Sequence, residues 1–395
     1  MKRSEFLKAC SILGVSLSFD NMIYGCASSE TSSKTINSND KVLIIGAGPA
    51  GMSAGYLLVQ RGIEFEIIEA KSTYGGRIKH TRDFADFPIS LGGEWIHVNS
   101  TILQEAVNDS STQITTQTQG YDVNDQQAFF DGNNLTYSSL GTDGAGIDHK
   151  FINSSWLDFF ETYILPNVQS KIVYDTPIVN IDYSGDQVNV TSLNGTIYTA
   201  DRIIVTVPLK VLQNNIINFT PALPSNKQSA IQNLTVWSGF KAFFKFNTKF
   251  YPTFLSFPDS ETNTGQRLYY DAAYAQNSQQ HILGLFSVGQ QAEVYQSFSD
   301  NALRDYILAE LDSAFGNGVA TNNYIDHITQ NWNDEPYANA AYITDQENWQ
   351  SVKTLGESVN NKLYFAGDAY TDGEDWSSVH TAIRAARRVI DELLG

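Results

Sequence analysis

The sequence predicts an α/β fold of two regions, a parallel sheet of Rossmann-like type and a second unit of mixed strands and helices. Three observations carry this. The apolar run Lys41 to Ile45 leads into Gly46-Ala47-Gly48-Pro49-Ala50-Gly51, a helical pattern through Arg61, and a second strand from Glu64 to Ile68. After Lys171 the pattern changes to short alternating strands that return to the apolar stretch Arg202 to Pro208. The chain has 395 residues, 42% of them hydrophobic, which is too long for one compact unit and ample for two cores.

Taken in order, the N-terminus reads as an address. Lys2, Arg3 and Lys8 precede an apolar stretch from Ala9 to Phe19, followed by Ile23-Tyr24-Gly25-Cys26 and Ala27-Ser28-Ser29, the order of a signal peptide. Arg3 to Lys8 resembles a twin-arginine export signal with Ser4 at the second arginine position. Ile23 to Cys26 resembles a bacterial lipobox, with Cys26 as the candidate lipid anchor. We therefore expect a signal peptide over 1–25, a flexible linker over 26–40, and an exported protein, periplasmic or membrane-anchored as a bacterial lipoprotein.

The folded part opens on the glycine run, which lets backbone approach a pyrophosphate seated on a helix N-terminus. Gly62 stops that helix, and Glu69, 18 residues past Gly51, ends the second strand where a carboxylate can accept hydrogen bonds from an adenosine ribose. Ile178 to Tyr183, Gln187 to Ser192 and Thr196 to Ala200 form an antiparallel excursion. The stretch 240–290, heavy in Phe and Tyr, predicts strands of a second sheet. Residues 300–315 predict an amphipathic helix, Lys362 to Asp368 a strand ending in a turn, and Ser378 to Leu394 a long helix.

Composition narrows the partners. With 25 Lys+Arg against 43 Asp+Glu, the net charge of −18 excludes nucleic acid as the main partner. Cys10 and Cys26 are the only cysteines, and both precede the folded part, which therefore holds no disulfide, thiolate metal site or catalytic thiol. The histidines lack metal-ligand spacing. Beyond the N-terminus no apolar run approaches the ~18 residues of a transmembrane helix, so none is expected in the mature protein.

Seven motifs occur in one order: Gly46 to Gly51, Ile67-Ile68-Glu69-Ala70, Gly75-Gly76-Arg77, Leu91-Gly92-Gly93-Glu94-Trp95-Ile96-His97, Ala200 to Leu212, Trp332-Asn333-Asp334-Glu335-Pro336, and Phe365-Ala366-Gly367-Asp368-Ala369-Tyr370. Together they resemble the flavin amine oxidase family, which includes monoamine and polyamine oxidases, over about 41–392. The resemblance implies a Rossmann-like FAD-binding domain (41–100, 171–212 and 345–395) with a discontinuous α+β substrate-binding domain (101–170 and 213–344). It implies that Gly46, Gly48, Gly51, Glu69, Gly76 and Arg77 hold the adenosine and pyrophosphate, and that Ile178 faces the adenine through its backbone. Trp332 joins the cofactor-binding set, Asp368 binds the ribityl chain, and Val379 offers its N–H to the flavin pyrimidine, where a helix N-terminus stabilises negative charge. Lys241 matches the lysine that holds a water beside flavin N5. Tyr342 is one wall of an aromatic cage, and His97 matches a histidine of several polyamine-oxidising members; these three are the expected catalytic residues.

Departures from the family pattern matter as much. Ala341 stands where covalent members carry the flavin-linking cysteine, so noncovalent FAD is expected. Ser378 falls on the opposite cage wall, leaving Trp376 or His380 as substitutes. Only 38 residues separate Gly132 from Lys171, which implies a reduced helical subdomain over the substrate. Related L-amino-acid oxidases have an arginine at the position of Trp95 that clamps the substrate carboxylate; Glu94 beside it suits a cationic amine, while Arg82 and Arg267 stay unassigned. Glu94, Trp95, Tyr342 and Ser378 are the expected substrate contacts. The implied reaction is hydride transfer from the α-carbon of a small-molecule amine to flavin N5, imine hydrolysis, and reduction of molecular oxygen to hydrogen peroxide. A neutral amine is required, so the site should depress the substrate's pKa. L-amino-acid oxidation, another flavin dehydrogenation or desaturation, and an exported flavoprotein without amine turnover are the alternatives.

Overall fold

The structure is a computed structural model describing residues 40–144, 148–316, 318–344 and 346–395. The leader, Cys26 and nearly all of the linker lie outside the described residues.

The main sheet is parallel throughout, in the order Leu363–Phe365, Arg202–Val205, Val42–Ile45, Phe65–Ile68, Ile172–Val173. Its central strand is apolar at every position because both faces are covered. Val42 and Ile44 point into a core shared with helices Pro49–Arg61 and Val379–Leu394, while Leu43 and Ile45 point into one shared with the excursion. The two-residue period of a strand thus assigns alternate side chains to two cores. In Val379–Leu394, Ala382, Ala385, Ala386, Val389 and Ile390 form the buried stripe, small enough for close approach to the first helix.

The excursion is a four-stranded sheet. Ile178–Asp182, Val188–Ser192 and Ile197–Ala200 pair antiparallel, and Asn218–Thr220 adds to the first of them in parallel. Arg202–Val205 then returns to the main sheet beside Val42–Ile45.

The second sheet runs Tyr324–Asn331, Gly239–Phe246, His281–Gly289, Gly265–Asp271, Phe254–Ser256, Gln126–Phe130, Leu135–Ser139, with Glu261–Thr262 paired to Gly265–Asp271. Phe240, Ala242, Phe244 and Phe246 face helix Asp300–Phe315, which contributes Leu303, Ile307 and Leu311 to their core. Lys241 and Phe243 face the other way, toward the nucleotide-binding region, and this alternation places Lys241 at the site.

Packing groups two stretches differently from the expected boundaries. Stretch 101–170, assigned by sequence to the substrate-binding region, supplies helices Ile102–Val107 and Trp156–Tyr163 to the same core as Pro49–Arg61, through Ile102, Leu103, Trp156, Phe159 and Phe160. Helix Ser225–Asn233 likewise packs with the excursion. Between Gly132 and Lys171 the longest described helix is the eight-residue Trp156–Tyr163. No described helix is long and apolar enough to cross a membrane.

Candidate cofactor cavity and active site

A continuous cavity, about 1640 Å³ including space open to solvent, runs from the glycine loop to the second sheet. All the expected site residues line it except Gly51. Gly51 acts by what it lacks: a Cβ there would lie 1.9 Å from the Gly46 carbonyl oxygen, so only glycine lets the helix start against the loop. Gly48 differs, since a Cβ on it would meet nothing within 4 Å and would project into a cradle beside helix Pro49–Arg61, whose N-terminus no side chain caps. Gly76 closes the cradle, with a positive φ of 54° and a close approach to the Gly48 Cα. An open cradle at an uncapped helix N-terminus fits a pyrophosphate.

Glu69 borders this cradle. Its carboxylate accepts from the backbone N–H of Ala47 at 2.7 Å and of Lys71 at 2.9 Å, which pins it at the strand end. Burial pushes its pKa up and those amides partly oppose the shift. Arg77 binds both oxygens of Asp368 and the Ala341 carbonyl, tying the second motif to the last strand and to the cage segment. Gly92 is required here as well, because its Cβ would lie 2.0 Å from the Arg77 carbonyl oxygen. Trp332 donates from Nε1 to the Leu91 carbonyl at 2.9 Å and so braces the same loop. Val379, the first residue of the last helix, lines the cavity beside Gly93, and Ser378 is its N-cap.

At the other end the expected role of Glu94 is corrected. Glu94 is buried, and its Oε2 accepts from Lys241 Nζ at 2.7 Å and from the Tyr270 hydroxyl. Its Oε1 lies 3.2 Å from Nζ of a second buried lysine, Lys150, which also donates to the Ala272 carbonyl at 2.8 Å. Burial pushes the Glu94 pKa up, but the two ammonium groups outweigh it and hold the carboxyl below its usual range. Glu94 is therefore an internal counter-ion rather than an open acceptor for a substrate cation. Lys241 also donates to the carbonyls of Ser90 at 2.7 Å and Gly92 at 3.3 Å.

Trp95 donates from Nε1 to Tyr121 at 2.8 Å, and its ring meets Tyr270 and Phe286 edge-on at 4.7 and 6.0 Å. Tyr342 lies 6.3 Å from Trp237, also edge-on. Neither expected substitute for the second cage wall lines the cavity. Trp376 is buried in the core with its Nε1 on the Thr344 carbonyl, and His380 is buried against Asp375 at 2.7 Å. The lining includes Phe286 instead, paired with Lys241 across the sheet, and no sequence signal marked it. His97 lines the cavity with Nδ1 on Asp148 at 3.0 Å. Arg82 pairs with Asp158, and Arg267 with Asp259 and Glu310, both away from the cavity. Among the described residues no group of three His, Cys, Asp or Glu is placed to hold a metal.

A nucleotide cradle opening into an aromatic pocket on one face of a second sheet is the arrangement of a dinucleotide-binding protein. The chain belongs to the flavin-containing amine oxidoreductase family, whose model matches residues 161–394, and residues 44–109 match an NAD(P)-binding Rossmann-like domain. It is 23% identical to lysine-specific histone demethylase 2 of Homo sapiens, over 84% of this chain but only 50% of that protein, so the chain spans about half the length of that relative. It is 23% identical to polyamine oxidase 2 of Arabidopsis thaliana, over 83% of each chain. In fold it is similar to cyclohexylamine oxidase from Brevibacterium oxydans IH-35A, with a TM-score of 0.73 and 15% identity over 90% of this chain and 98% of that one.

Proposed function

We propose that the chain binds FAD noncovalently and oxidises a small-molecule amine, with molecular oxygen as electron acceptor. The observation that carries this is one cavity joining the glycine cradle to an aromatic pocket that contains Lys241. Gly46, Gly48, Glu69, Gly76, Arg77 and Ile178 would hold the adenosine and pyrophosphate, and Asp368 and Val379 the rest of the cofactor. When bound, the flavin supplies a two-electron acceptor for the hydride on the carbon beside the substrate nitrogen. Over the whole reaction the amine loses a hydride and a proton, water hydrolyses the imine, and oxygen takes up two electrons and two protons as hydrogen peroxide.

The chain's own residues bind, exclude water and set charge. Trp95, Phe286 and Tyr342 enclose the substrate in apolar surface. Lys241 brings a positive charge to the pocket, which disfavours an ammonium and favours the neutral amine that the reaction requires. The one arginine of the described lining, Arg77, is engaged by Asp368, and Trp95 occupies the carboxylate-clamp position, so amine oxidation is favoured over amino-acid oxidation. Ala341 cannot form a thioether, which supports noncovalent binding. The leader and Cys26 support export and lipid anchoring as part of this reading.

Anaerobic addition of a panel of primary and secondary amines to the purified yellow protein tests the activity. At least one amine should bleach the flavin, and acid precipitation should release all of the cofactor. A protein that photoreduces normally yet is bleached by no amine would overturn the reading.

A further inference from the structure

Among the described residues four carboxylates line the cavity, and each is already taken by the chain itself. Glu69 accepts two backbone amides at the adenosine end. Glu335 pairs with Lys71 and with Lys79 at 3.1 Å, and Asp368 pairs with Arg77. Glu94, the one nearest the aromatic pocket, is shared by Lys241, Lys150 and Tyr270. Two ammonium groups on one carboxylate leave this cluster with one positive charge in excess. Behind the lining, Asp148 meets His97 through Oδ1 at 3.0 Å, its buried Oδ2 pointing elsewhere, and the half-exposed Asp375 meets His380 at 2.7 Å. A second ammonium on a substrate would therefore enter apolar surface made by Trp95, Phe286 and Tyr342, with no open carboxylate among the described lining residues to receive it and the two lysines on Glu94 beside it. A buried charge without a partner is strongly disfavoured, whereas a flat or cyclic hydrocarbon gains from the same surface.

We propose that Lys150, by closing off Glu94, makes this a site for monoamines bearing an apolar or aromatic group, and sets the enzyme against diamines and polyamines. Lys150 does not line the cavity. It is a specificity-determining residue that acts through Glu94 Oε1. This inference rests on the amine-oxidation reading and adds the substrate class to it.

The test uses the holoenzyme under anaerobic conditions, with the second-order rate of flavin reduction measured for benzylamine, putrescine and spermidine. Benzylamine should exceed both of the others by about tenfold or more. Lys150→Met should narrow that ratio by freeing one oxygen of Glu94, while Lys150→Arg, which restores the cation, should return it to the wild-type value. Glu94→Gln should slow all three amines without narrowing the ratio, because Glu94 does not anchor the second amine. Wild-type preference for putrescine or spermidine would overturn the substrate class while leaving amine oxidation intact. A Lys150→Met protein that folds, binds FAD and keeps the wild-type ratio would remove Lys150 from specificity. Failure of every amine to reduce a flavin that dithionite reduces would overturn the amine reading and this inference with it.

Discussion

Lys241 shows how much a single side chain can be asked to do in a buried site. Its ammonium is held by two carbonyls and by Glu94, so its position is over-determined. A fixed cation beside the pocket stabilises negative charge that develops on oxygen during reoxidation, without reorganising when it does so. Lys241→Met should therefore slow reoxidation of photoreduced protein by at least about tenfold, with FAD affinity nearly unchanged, since the cradle lies at the other end of the cavity. Lys245→Met is the control: Lys245 donates to the Phe84 carbonyl and does not line the cavity. Equal stopped-flow rates for both variants and wild type would remove Lys241 from the oxygen reaction. The lysine itself could be read from its motif, but its partners could not. Lys150 sits in Asp148-His149-Lys150, a run that reads as solvated surface, and only the tertiary fold turns it into the second cation on Glu94.

At the scale of elements, legibility follows sequence distance. The strand, glycine loop, helix and second strand from Val42 to Ile68 are contiguous, and their backbone demands appear directly as Gly46, Gly48 and Gly51. The second sheet could be anticipated as strands but not in register. Pairing Lys241 with Phe286 on one side and Gln330 on the other joins residues far apart in the chain, and a shift of one residue would have sent Lys241 into the helix-covered core. A second aromatic wall was sought at Trp376 and His380 for the same reason, and Phe286 in the lining was missed. The glycine loop supports a sharp expectation. Gly51→Ala forces a Cβ into the Gly46 carbonyl at 1.9 Å, a backbone clash that no rotamer relieves. The helix must tilt or the loop must open, and either displaces Gly48 from the cradle. FAD affinity should fall by about tenfold or more, consistent with the ~1–3 kcal/mol cost of overpacking a tight contact. Gly62→Ala, at the solvent-facing end of the same helix where a Cβ has open space, should cost some stability through its positive φ but leave FAD affinity unaltered. Equal FAD affinities for Gly51→Ala and wild type would show that the loop tolerates the shift.

The whole molecule couples its site to acid through buried charges. His380 is buried, and burial pushes its pKa below the ordinary value of 6.5, with Asp375 opposing in part. Below about pH 6.5 the unfolded chain therefore binds a proton that the folded chain refuses, and stability falls as pH drops toward the depressed folded value. Glu94 adds to this at lower pH. Its folded pKa lies below the ordinary carboxylate value of 4.5, so the stability it contributes is present above that value and is lost as pH falls through the folded one. Asp375 has the same sign. Glu69 has the opposite sign, because burial raises its folded pKa and makes the folded chain the better proton acceptor. Above the carboxylate range the acid limb is shared by Lys227, whose burial lowers its pKa to about 7, and by His380, which takes over as pH falls below 6.5. For one proton its slope is at most ~1.4 kcal/mol per pH unit. Urea unfolding of the cofactor-free protein, followed by tryptophan fluorescence between about pH 7.5 and pH 5, should show stability declining across that range. His380→Gln keeps a hydrogen-bonding group toward Asp375 but cannot take up a proton, so it should flatten the lower part of this limb whatever its effect on absolute stability. The decline that Lys227 contributes around pH 7 should remain, and the His380→Gln midpoint should then change little from about pH 6 until the carboxylates begin to titrate. An unchanged slope below pH 6.5 in that variant would place this part of the limb on another group, and His380 would be left as a packing residue at the start of the last helix.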